Sequence, residues 1–224
     1  MDTAVSRCDV ESMLANYRRS FQIERWLHSE RFPEELPPSL YRLLRSVKRT
    51  KEAIELWLWK RLGLPNAEIP ASLESRWNLA FIGGENIQNL QLYLGAYCES
   101  EAISRVVLGH EVVALKQSIG EVIHHFVLHR APVLMKISVP EFPKIVRENP
   151  VLRDRIQQKG KWIVESLLTG APSALLCRFV LQFPKDVTWD FSHGASQDDL
   201  AVYERMVDII LHRVMALKDV ETRK

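Results

Sequence analysis

Glu121, His124, His125 and His129 are the residues whose types and spacing come closest to a metal site. On a helix, Glu121, His125 and His129 follow at four-residue steps and share one line of the surface. Glu121 and His124 also form an ExxH pair, the motif that carboxylate-bridged di-iron bundles use twice, with two further carboxylates. No other Glu in the chain has a His three residues on. We therefore expect no metal site, a solvated Glu121, and an exposed His124 pointing away from the apolar side of the helix.

Motifs for nucleotide binding and hydrolysis are incomplete. Gly160-Lys161 is followed by Trp162 and lacks the upstream glycine of a P-loop. Gly83-Gly84 does not extend to a dinucleotide-binding GxGxxG, and the chain has no GxSxG elbow. Nothing in the sequence activates the thiol of Cys98, which is interpreted as a small buried residue. We expect a protein that is not an enzyme and has no catalytic residues and no cofactor.

Composition indicates a globular protein with a core. The chain has 224 residues, 46% of them hydrophobic, and a formal net charge of +2, which gives no global attraction to nucleic acid or membrane. No segment approaches the ~18 uninterrupted apolar residues of a membrane span, and the first residues do not resemble a secretory signal. Cys8, Cys98 and Cys177 are odd in number and far apart, which favours reduced cysteines in a cytoplasmic protein.

The elements that must position these residues are mostly helices. Apolar residues between 108 and 126 recur at steps of four, three, four, three and four, which predicts one buried helical face. They are Leu108, Val112, Leu115, Ile119, Val122 and Phe126, widened by Ile123. Further helical periods run from Pro38 to Leu62, from Val151 to Leu168 with Ile156, Ile163 and Leu167 inward, and from Ser196 onward. Ser196 with Asp199 is similar to a capping box, and Leu200, Tyr203, Val207, Ile210, Val214 and Leu217 follow it.

The predicted fold class is mainly α, a single compact multi-helix domain with short loops. Residues 178–191 alternate in part between apolar and polar side chains, so one small β-hairpin there is an open alternative.

A basic cluster follows the first proline-rich connection: Arg42, Arg45, Lys48, Arg49 and Lys51. A solvated helix face is one interpretation, and docking on an acidic partner or on phosphates is another. The candidate partner-binding residues are Arg42, Arg45 and Arg49. The alternative function is a helical DNA-binding regulator that uses the Arg42–Lys51 cluster, although aromatics do not interleave with it as in a stacking platform. The last helix could likewise pair with a partner helix or fold back on its own domain.

Four stretches, taken in order, resemble a known family. Ser20–Ile23 leads to Trp26-Leu27-His28 and Phe32-Pro33, and Asn89–Leu92 leads to Glu101–Arg105 and Val107-Leu108. Leu115 to His129 is similar to the family's long central helix. The family's late helix and apolar-Pro ending are similar to Gly160–Leu168, Leu176–Arg178 and Leu181–Pro184. Together they resemble the K subunit of the type III secretion sorting platform, the YscK/SctK family.

The resemblance implies a non-enzymatic cytoplasmic adaptor of the injectisome. Its implied partners are the cytosolic domain of the inner-membrane ring protein and the major pod protein, with no nucleic acid and no direct membrane insertion. The protein would lie peripherally at the cytosolic face of the inner membrane and support substrate sorting and export. Residues 1–19 would form an N-terminal extension and residues 20–224 the helical adaptor domain.

Overall fold

A computed structural model describes residue 23 and residues 27–47, 49–64, 74–134, 137–147 and 151–212. This part of the chain is helical, and none of it forms a β-strand. The chain divides into two compact units that alternate along the sequence. Unit 1 comprises Met1–Gly84 and Gly170–Trp189, and unit 2 comprises Glu85–Thr169 and Asp190–Lys224. The predicted extension, residues 1–19, lies outside the described residues.

The described residues of unit 1 include three α-helices and two further 3-10 helices. The α-helices are α1 (Pro38–Ser46), α2 (Lys51–Arg61) and α10 (Ser173–Val180), and the 3-10 helices are Ser29–Arg31 and Ser75–Phe81. Helix α1 begins at a proline because proline has no amide hydrogen to lose and its φ suits a first helical turn. The core of unit 1 contains the buried side chains of Ile23, Leu27, Leu36, Tyr41 and Leu58.

Hydrogen bonds join the two sequence segments of unit 1. The Arg31 guanidinium donates to the carbonyl oxygens of Phe183, at 3.0 Å, and Pro184, at 2.8 Å. The buried Gln182 side-chain amide donates to the Ala80 carbonyl at 2.7 Å. These partners are more than 100 residues apart in the chain, so the hydrogen bonds hold the two segments of unit 1 together.

Unit 2 contains the longer helices. They are α3 (Gly84–Cys98), α4 (Ser100–Ser104), α5 (Gly109–Ile119), α6 (Glu121–His125), α7 (Ala131–Leu134), α8 (Lys144–Arg147), α9 (Leu152–Leu168) and α11 (Gln197–Ile210), with a π turn at Phe126–Arg130. Helix α3 begins at the boundary glycine. The core of unit 2 is built mainly on α3, α9 and α11. These helices bury Leu90, Leu94, Ile163, Leu167 and Met206 almost completely. Tyr93 and Phe126 meet edge to face, with ring centroids 5.0 Å apart.

Two helical predictions are confirmed. Helix α9 buries Ile156, Ile163 and Leu167 completely, as its spacing predicts. The Ser196 hydroxyl accepts a hydrogen bond from the Asp199 backbone N–H at 3.1 Å, so the predicted cap starts α11. Leu200, Tyr203, Val207 and Ile210 are buried, whereas Val214 and Leu217 lie outside the described residues.

The prediction of one buried helical face between residues 108 and 126 is wrong in part. Gly120 has a φ of 89°, which ends α5, and α6 starts at the next residue, so Leu115–His129 is not one long helix. Leu115, Ile119, Ile123 and Phe126 are buried as predicted. Leu108 and Val122 are instead 53% and 56% exposed. The break changes the helical phase, so Ile123 takes the inward position that a continuous helix would give to Val122.

The open alternative of a β-hairpin is also corrected. Residues 173–180 are helical and residues 181–191 form turns and irregular structure. Phe179, Phe183 and Trp189 cluster in unit 1, with each pair of ring centroids 4.7 to 5.1 Å apart. Apolar alternation over a few residues does not distinguish a strand from a short buried helix, and packing of these aromatic rings decided the outcome.

Candidate partner-binding surface

Helices α1 and α2 form a hairpin that carries the predicted partner-binding residues. The Thr50 hydroxyl, at the N-terminus of α2, donates to the carbonyl oxygens of Leu44, in α1, and Val47, the C-cap residue of α1. Arg45 of α1 donates to Glu55 of α2 at 2.9 Å, and both side chains are four-fifths or more buried. This ion pair links the two helices.

The structure separates the three predicted arginines into two kinds. Arg42 and Arg49 are exposed and form no ion pair with a described residue. Arg45 is neutralised by Glu55, so its charge holds the hairpin together. Lys51, which the sequence placed in the same basic cluster, is also exposed. Lys48 lies outside the described residues.

The basic side chains surround a shallow, open depression. It has a volume of about 220 Å³ and is lined by Arg42, Arg45, Ser46 and Lys51. Two of its three cations have no carboxylate partner among the described residues, so the depression is positively charged at neutral pH. A carboxylate or another small anionic group has the chemistry to bind there.

Exposed apolar side chains next to these cations were not recognised from the sequence. Leu40, Leu43 and Val47 are 38%, 64% and 49% exposed. On α2, Leu56 and Trp57 are 52% and 39% exposed. The three-four spacing of Leu40, Leu43 and Val47 was available as a signal, but spacing alone does not show whether a stripe is covered.

The histidine cluster of unit 2 differs from the prediction at His124. His124 is buried, so its predicted exposure is wrong, and burial lowers the pKa of its imidazole. The His125 and His129 rings lie 4.6 Å apart, whereas Glu121 pairs with Lys116 at 3.3 Å. Among the described residues no three His, Cys, Asp or Glu side chains are grouped closely enough to hold a metal ion.

Buried charges in unit 2 serve its packing. Glu99 accepts from Arg155 at 3.1 and 3.2 Å and from Lys159 at 2.5 Å, which ties the end of α3 to α9. Burial raises the pKa of the neighbouring Cys98 thiol to about 12, so the nucleophilic thiolate is disfavoured at neutral pH. None of the described helices is both long enough and apolar enough to cross a membrane.

The described residues thus define an all-helical protein with a combined apolar and basic surface on α1. A family model described as YOP proteins translocation protein K (YscK) matches residues 13–220. The chain belongs to this family, and it is a component of type III secretion, which serves protein transport in virulence. No curated protein and no solved structure gives a significant match.

Proposed function

We propose that this protein is a non-enzymatic adaptor of the type III secretion sorting platform. It joins the cytosolic domain of the inner-membrane ring protein to the major pod protein and thereby supports substrate sorting and export. It works in the cytoplasm, held at the inner membrane by the secretion apparatus. The family match over residues 13–220 is the observation that carries this proposal.

The surfaces of the two units support a role in joining two partners. Unit 1 exposes Leu40, Leu43 and Trp57, and unit 2 exposes Val107, Leu108 and Val113, of which Val107 is 79% exposed. Each unit has its own buried core, so each offers a folded surface for a separate protein. Exposed large apolar side chains are the usual centre of a protein–protein contact.

The buried charged groups support binding rather than chemistry. Glu99 forms ion pairs with Arg155 and Lys159, and Glu165 accepts a backbone hydrogen bond from Asp190. These groups hold helices and loops in place within unit 2.

The test is co-purification at native expression from cells that are actively secreting, followed by cross-linking and mass spectrometry. We expect to recover the ring protein and the pod protein, and we expect deletion of this chain to abolish secretion. If neither protein is recovered, or if secretion survives the deletion, the adaptor function is wrong. In that case the DNA-binding alternative would be tested through the salt dependence of duplex affinity, which is steep for phosphate contacts.

A further inference from the structure

Helix α1 has a wider apolar face than its own unit covers. Its fully buried side chain is Tyr41, and Leu44 is half-buried in the same core. Leu40, Leu43 and the C-cap residue Val47 continue this face at steps of three and four, and between 38% and 64% of each is exposed. Of the described leucines and tryptophans, those that are exposed lie on α1 and α2, with Leu108 the exception.

Positive charge lies along the same helix and its connection to α2. Arg42, Arg49 and Lys51 are exposed, and none of the three is paired with a carboxylate in the described residues. Arg42 and Lys51 line the depression of about 220 Å³ together with Arg45 and Ser46. Helical spacing puts the aliphatic stripe on one flank of α1 and the depression for acidic groups on the other, so that a partner lying over the exposed side of the helix can contact both.

We propose that this surface of α1 binds an amphipathic helix of a partner protein that has acidic residues along one edge of its apolar face. The proposal rests on the adaptor function and specifies the chemistry of one of its partners. Apolar residues at three-four spacing match the way one helix packs on another. The unpaired cations supply charge complementarity, which favours an acidic partner and rejects a basic one.

Other occupants fit the observations less well. A nucleic-acid duplex would leave Leu40, Leu43 and Val47 facing phosphates and water. A lipid surface would be contacted by a stripe of only three aliphatic residues on a nine-residue helix, which is little apolar area for stable membrane binding. A second copy of this chain would bring like charges together at Arg42 and Arg49.

The test places a photo-cross-linking amino acid at position 43 of the full-length protein in secreting cells. We expect one adduct, to a helical segment of another secretion-apparatus protein with Asp or Glu within one turn of the cross-linked residue. The same amino acid at position 133, a valine of unit 2 that is 73% exposed and lies outside the surfaces named above, is the matched control and should not give this adduct.

Binding to the segment identified in this way is then measured with purified full-length protein. We expect L43E to weaken binding about tenfold or more, because it places a charge where the partner helix would cover the leucine side chain. R42E should also weaken binding and reduce its dependence on salt, whereas V133E should leave binding unchanged. Circular dichroism of each variant checks that the protein remains folded.

Several outcomes overturn the proposal. One is an adduct to lipid, to DNA or to another copy of this chain. Another is an adduct to a protein segment that has no acidic residues. Absence of an adduct while the unmodified protein still recovers the ring and pod proteins overturns the surface and leaves the adaptor function standing. Failure of the unmodified protein to recover either one overturns the function itself, so the two failures are distinguishable.

Discussion

Gly160 of α9 lies against Gln91 of α3 so closely that a Cβ atom on Gly160 would be 1.9 Å from the Gln91 carbonyl oxygen. One helical turn away, a Cβ on Gly95 would be 1.8 Å from the carbonyl oxygen of Ile156. Each helix therefore places a glycine where the other helix's backbone passes. The close crossing of α3 and α9 depends on the absence of both side chains.

The first prediction follows from this crossing. G160A should destabilise the protein by about 3 kcal/mol, because a methyl group would force two helix backbones apart. Thermal unfolding followed by circular dichroism would measure this as a loss of about 6 to 12 °C in Tm. G109A is the matched control, since a Cβ there meets nothing within 4 Å. Equal Tm values for the two variants would contradict the predicted close crossing.

The second prediction concerns the buried carboxylate Glu99. E99Q removes the negative charge but keeps the shape, which leaves Arg155 and Lys159 as like charges in a poorly solvated position. We expect a loss of about 3 kcal/mol in the free energy of unfolding, measured in urea. E101Q removes an exposed partner of Arg105, and it should change stability by less than about 1 kcal/mol. A small effect of E99Q would show that water reaches the triad.

The third prediction is a pH dependence at Glu165. Its side chain is 5% exposed, and burial raises its carboxyl pKa above 4.5, although Lys161 and His193 lie 3.6 and 3.4 Å away. The folded protein therefore holds this proton more tightly than the unfolded chain does. The resulting stabilisation is present below about pH 4.5 and is lost as pH rises through the folded pKa.

The variant E165Q tests that dependence because glutamine does not titrate. Its stability relative to the unmodified protein should increase as pH rises from about 4.5 through the folded pKa of Glu165. Urea unfolding at a series of pH values gives the difference directly. A difference that decreases with pH would mean that Lys161 and His193 outweigh burial.

The fourth prediction separates the two kinds of arginine on α1. R45A should lower the free energy of unfolding by about 1 kcal/mol, since it removes a part-buried ion pair with Glu55. R42A removes an exposed cation that has no ion-pair partner among the described residues, and it should change stability by about 0.5 kcal/mol or less. Partner binding should show the opposite order, with the larger loss in R42A. The reverse order in both measurements would mean that Arg45 and not Arg42 faces the partner.

The sequence by itself determined the elements whose signals are local. The cap at Ser196, the inward face of α9 and the mainly α fold class depend on neighbouring residues within a few turns, so spacing was sufficient to predict them. The ordered motifs from Ser20 to Pro184 were likewise sufficient to recognise the YscK family.

Only the tertiary structure decided which side chains are covered and which charges are neutralised. The burial of His124 and the exposure of Leu43 depend on elements distant in the chain, and so does the packing that makes residues 173–180 a helix. Arg42 and Arg45 are the same residue type three positions apart, yet only Arg45 meets a carboxylate, ten residues on in the next helix. Helical spacing defines a direction on one helix, whereas burial and pairing depend on what the rest of the chain places there.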